Sequence, residues 1–189
     1  MTEQLSRQDR MLIPALRNAG VLQDLDPRLL NQEKGAIAVM CSDGDRFFDA
    51  ISHHARTQAP YRPTPRIHTL AWHGGAIACA PCSPVNKTKR HADQLFIDLI
   101  ADARTMKDMD LVALYGHAPC GAAYACGLPL EAVFALMMRA RERVRATNHG
   151  IQTACLFHAD YGEGKMKTYF FSCAQWQHWA DGHEVRAIA

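Results

Sequence analysis

Two short stretches of this chain carry side chains able to grip a metal ion: Cys41-Ser42-Asp43-Gly44-Asp45-Arg46 and Gly116-His117-Ala118-Pro119-Cys120-Gly121. Thiolate sulfur and imidazole nitrogen are soft to borderline donors, and two cysteines with one histidine suit Zn2+. Three protein ligands leave a fourth position, where a bound water can be acidified into a nucleophile. The glycines bracketing His117 and Cys120 suit a tight turn around an ion. Taken singly, each stretch means little, because a cysteine after a strand is commonly a small buried hydrophobe. The chemistry requires the two to meet.

The elements that must bring them together follow from hydropathy. GAIAVM, ending at Cys41, is an apolar run of the kind that forms a buried parallel strand. RFFDAISHHARTQ reads as a helix stopped before Pro60, and RIHTLAW as a second strand ending at Gly74-Gly75. A helix from about His91 to Met106 follows, with Leu95, Leu99, Ala103 and Met106 at helical spacing. DLVALYG is a third strand arriving at His117. Pro129 opens the helix LEAVFALMMRARERVRA, closed by Asn148 to Gly150. IQTACLFHA is a fourth strand, and MKTYFF a fifth after the turn at Gly162-Glu163-Gly164. Strands alternating with helices of this length imply an α/β fold with a mostly parallel sheet. If the first and third strands are neighbours, Cys41 faces His117 and Cys120 across a crevice at the carboxyl ends of the strands, where such sheets collect ligands.

The region before the first strand reads as helical. Met11, Leu12, Ala15 and Leu16 form its apolar face, Gly20 stops it, and Asp26-Pro27 restarts a turn. The chain therefore divides into a helical extension over 1–33 and an α/β domain over 34–189. Its 189 residues, 48% hydrophobic, suffice for one sizeable core. A formal charge of +2 gives no reason to expect nucleic-acid binding. Arg139, Arg141, Arg143 and Arg145, with Glu142 among them, read as a solvated helix face. No signal peptide and no membrane-spanning run is visible, and seven cysteines without an export signal read as thiols or metal ligands. The expected location is cytoplasmic.

CSDGDR and GHAPCG resemble the paired signatures of the β-class carbonic anhydrases, Cys-x-Asp-x-Arg after the first strand and Gly-His-x-x-Cys-Gly after the third. The resemblance spans roughly Lys34 to Phe171 in element order, with identity confined to the motifs. It implies a central sheet of order 2-1-3-4, to which the fifth strand read from MKTYFF would add an edge. It further implies Zn2+ held by Cys41, His117 and Cys120, and a homodimer or higher homo-oligomer. The implied reaction is reversible hydration of CO2 to bicarbonate by zinc-bound hydroxide. Asp43 falls on the family's aspartate, which either accepts a hydrogen bond from the zinc-bound water or itself coordinates the metal.

The chain departs from the family at two places. The family's arginine, two residues after the aspartate, pairs with that carboxylate and keeps it off the metal; here Asp45 stands there and Arg46 follows. After the second strand, Trp72-His73-Gly74-Gly75 replaces the family's usual Arg-Asn-Ala-Gly, in a loop that shapes the substrate pocket. Two outcomes stay open. If Arg46 neutralises Asp43 the fourth metal position is free and Asp43 and Arg46 are catalytic; if nothing does, Asp43 closes the site as a fourth ligand. The alternatives are hydrolysis of carbonyl sulfide or carbon disulfide, and a catalytically inactive zinc-stabilised scaffold.

Other groups carry weaker signals. Cys79 and Cys82 have the spacing of a redox dithiol or half a zinc site, with His73 or His91 as remote further ligands. Cys126, Cys155 and Cys173 read as packing residues, and His53 and His54 as surface or half-buried. His158 and Asp160 border the expected crevice without a spacing that supports a role, and His178 and His183 fall in a polar tail.

Overall fold

The computed structural model describes residues 4–30, 33–60, 64–81, 83–87 and 91–183. It is an α/β fold: a mixed, mostly parallel six-stranded sheet with six α-helices, the first of them N-terminal. The strands are β1 (Leu22–Asp24), β2 (Ala36–Cys41), β3 (Ile67–Trp72), β4 (Leu111–Ala118), β5 (Gln152–Asp160) and β6 (Met166–Phe171). Their order is β3-β2-β4-β5-β6-β1. β3, β2, β4 and β5 run parallel; β6 and β1 are antiparallel additions. The four parallel strands stand in the expected order. β6 is not the edge, because β1 pairs with it through Leu22–Phe171 and Asp24–Tyr169.

The helices are α1 (Arg7–Asn18), α2 (Phe47–Gln58), α3 (Ala92–Lys107), α4 (Gly121–Ala125), α5 (Leu130–Thr147) and α6 (Cys173–Asp181). α1 starts in a reciprocal cap, Ser6 Oγ accepting from the Asp9 amide while Asp9 accepts from Ser6. Leu16 of the expected face is buried and Leu12 packs against the core, but Ile13 joins them while Met11 and Ala15 face outward. Asp26 Oδ1 accepts from the Arg28 amide and starts a short 3-10 turn at Pro27–Leu30.

Alternation along the strands sends side chains to two separate cores. Ile37, Val39, Val112, Leu114 and Phe157 pack under α1, α3, α5 and α6, while Ala38, Met40, Ala113, Tyr115 and Leu156 pack against α2. Phe134 of α5 centres the larger core, its ring 4.8 Å from Phe157, 5.0 Å from Phe171 and 5.3 Å from Trp176. Trp176 also anchors α6, so the segment read as a polar tail is a docked helix.

Packing corrects the expected faces of two helices. On α3 the buried residues are Ala92, Phe96, Ile97, Ile100 and Ala103, so of the expected stripe only Ala103 is buried and Leu95, Leu99 and Met106 are exposed. Arg143 is not merely solvated: it pairs with Asp93 and donates to Gln94 at 2.9 Å, tying α5 to α3. Among the described residues no helix is long and apolar enough to cross a membrane.

Candidate metal centre

β2 has β3 on one side and β4 on the other, so the chain leaves its carboxyl end at the point where strand order reverses. Cys41 is the last residue of β2. His117 lies near the end of β4, and after a cis peptide at Ala118-Pro119 Cys120 caps the short α4. The ligand atoms of Cys41, His117 and Cys120 all lie within 4.8 Å of one another. Donors about 2.0–2.3 Å from one shared tetrahedral ion stand roughly 3.3–3.8 Å apart, so small side-chain movements would bring these three onto a single ion.

One member of the donor set has unsatisfied polar atoms. Both ring nitrogens of His117 are buried and lack a well-formed hydrogen bond, with the Cys120 thiol close by. A buried polar atom without a partner costs about 1–3 kcal/mol, which a bound ion removes. The two sulfurs shift each other's acidity in opposite directions. The Cys120 thiol brings Cys41 down to about 7 against the opposing effect of burial, with help from the Gly74 and Asp43 amides. The bond to Cys41, reinforced by burial, pushes Cys120 up to about 12. The Gly74 amide stands 3.3 Å from Cys41 Sγ. These residues could hold a metal ion.

Arg46 answers the question its offset raised. The chain does not stay extended after Cys41: the Phe47 amide bonds the Asp43 carbonyl at 2.9 Å as α2 begins. Residues three apart then share one side of the turn, and Arg46 Nη1 donates to Asp43 Oδ2 at 3.1 Å. Asp45 points to solvent and contributes its amide, which donates to Asp43 Oδ1 at 3.0 Å. Arg46 Nε also donates to Asp160 Oδ2 at 3.1 Å, and the arginine side chain is only 4% exposed.

A cavity of about 20 Å³ opens beside these groups. That is room for a water or a triatomic molecule and little more. Asp43, Arg46 and His158 make its polar wall, and Met40, Phe47 and Tyr115 its apolar one. His158 sits on β5 directly opposite His117, bonds Thr168 Oγ1 through Nδ1 at 2.9 Å, and holds Nε2 buried, 3.6 Å from Asp49. Burial holds its pKa down at about 4, so the ring is neutral at physiological pH.

Hence Cys41, His117 and Cys120 converge, and Asp43 and Arg46 pair beside them. His158 and Asp160 join the same place without any local motif; only their position at the end of a strand adjoining β4 signals it. His54 is not a surface group but fully buried, with Nδ1 at 2.9 Å from the Tyr115 hydroxyl. Cys79 lies in the core, where burial pushes its thiol up to about 12, and Cys82 is outside the described residues. Comparison with protein-family models, curated proteins and solved structures gives no match to the chain.

Proposed function

We propose that the protein is a zinc enzyme of the β-class carbonic anhydrase kind, interconverting CO2 and bicarbonate. The observation that carries this reading is the Asp43–Arg46 pair beside the Cys41, His117 and Cys120 cluster. The sulfurs of Cys41 and Cys120 and one ring nitrogen of His117 would hold the ion. Zinc bound there supplies an acidified water, less acidified than at a three-histidine site because two thiolates already offset the ion's charge.

The chain's own residues do the rest. Arg46 engages Asp43 Oδ2, which opposes capture of that carboxylate by the cation. Asp43, anchored also by the Asp45 amide, is a hydrogen-bond acceptor for the attacking group. Met40, Phe47 and Tyr115 give a linear, weakly polar substrate an apolar surface to rest on. The inactive-scaffold reading depended on Asp43 lacking a partner, and Arg46 weighs against it. The apolar wall equally favours carbonyl sulfide or carbon disulfide as substrates of the same site.

Zinc titration with metal analysis, followed by stopped-flow CO2 hydration from neutral to alkaline pH, tests the proposal. Stoichiometric zinc and a rate rising with pH are expected. Stoichiometric zinc without hydration at any pH overturns the anhydrase reading, and release of sulfide from the sulfur analogues then selects the second substrate class.

A further inference from the structure

Arg46 is fixed from two directions by residues far apart in sequence. Nη1 meets Asp43 on its own turn of chain, while Nε meets Asp160 at the end of β5, each at 3.1 Å. Asp160 is itself held, because its second oxygen, Oδ1, accepts the Gly162 amide at 2.8 Å. Gly162 opens the β5–β6 turn at φ +86, and the turn closes where the Tyr161 amide donates to the Lys165 carbonyl at 2.8 Å and the Lys165 amide to the Gly162 carbonyl at 2.9 Å. The guanidinium of a residue at the start of α2 is thus registered to the sheet by a carboxylate on a different element.

We propose that Asp160 is a positioning residue: through Arg46 it keeps Asp43 turned away from the Cys41–His117–Cys120 cluster, so that the fourth metal position stays open. The inference rests on the metal reading above. An arginine side chain carries about 2 kcal/mol of rotamer entropy, and a carboxylate on a separate element adds to the restraint given by the neighbour three residues away. The second anchor settles which nitrogen reaches Asp43. The two carboxylates use different nitrogens, so Asp160 orients the guanidinium without competing for the Asp43 bond. Asparagine cannot take its place: Arg46 and Gly162 donate to different oxygens of Asp160, and in asparagine one of those two positions is an NH2 group that faces a donor.

The test uses the full chain loaded with Co2+ and reads the visible absorption of the ion during thiocyanate titration. In the parent, thiocyanate is expected to enter the fourth position and shift the spectrum. In Asp160→Asn and Asp160→Ala, Asp43 is expected to occupy that position, weakening thiocyanate about 10–100-fold, the range for loss of an outer partner of a metal site. Adding Asp43→Asn to Asp160→Ala removes the closing carboxylate and should restore the response. Single variants that titrate like the parent overturn the inference, as does a double variant no more responsive than Asp160→Ala. A parent that takes up no cobalt, or takes it up without responding to thiocyanate, overturns the open-site reading and this inference with it.

Discussion

Arg46 Nη1 reaches the Asp43 carboxylate at 3.1 Å because the chain turns into α2 between them. The arginine is buried between two carboxylates, and removing one partner of a buried ionic group leaves the others uncompensated. Arg46→Ala is therefore expected to lose about 3–5 kcal/mol in urea unfolding. A loss below 1 kcal/mol would show that solvent already screens the cluster.

Chelation should separate the metal's contribution from that of the fold. An ion that binds only the folded state at a hundred times its Kd adds about 2.7 kcal/mol, or roughly 5–10 °C in Tm for a chain of this size. EDTA is expected to lower the Tm of the zinc-loaded protein by that amount and to leave Cys41→Ser and His117→Ala unmoved. An equal drop in these variants would place the ion elsewhere.

Gly75 is the backbone support of Cys41. It has φ +57, and a Cβ added there would sit 2.5 Å from the Cys41 amide nitrogen and 3.0 Å from the Tyr115 carbonyl oxygen. Neither contact can yield by a side-chain movement, so overpacking adds to left-handed strain. Gly75→Ala should cost about 2–4 kcal/mol and lower the bound zinc per chain. Wild-type stability and metal content in that variant would contradict the packing described here.

His54 makes a pH prediction. Burial, with a smaller push from His53, holds its pKa down at about 4 from an unfolded value of 6.5. Above 6.5 both states are neutral and nothing is lost. Below it the unfolded chain takes up a proton that the folded one refuses, so stability falls as pH drops toward 4 and then levels. The full loss is roughly 3 kcal/mol. His158 acts with the same sign, so the decisive quantity is the difference between parent and His54→Gln. Identical pH slopes in the two would remove His54 as a cause.

The parallel core was legible because each strand is a short apolar run closed by a polar or glycine turn; Ala36–Cys41 and Leu111–Ala118 almost reproduce GAIAVM and DLVALYG. What was illegible depends on partners distant in sequence. Leu22–Asp24 is too short to show a period and becomes a strand only beside Tyr169–Phe171. α3 carries apolar residues on several sides, and its packing on β2, β3 and the buried turn at Gly75–Cys79 buries Phe96 and Ile100 rather than Leu95 and Leu99. The three donors were readable from two motifs at strand ends. The place of Asp160 beside the crevice was readable too, but its role was not, because that lies in its bond to Arg46, on another element.

The pairing of β1 with β6 has a consequence for biosynthesis. As the polypeptide leaves the ribosome, its earliest strand has nothing to bond until nearly the last one has emerged. Cys41 likewise appears long before His117 and Cys120 and spends that interval as an unshielded thiol. An ion held by these three residues would therefore load late, and the nascent chain would be most open to oxidants and competing thiophilic metals while translation is still under way.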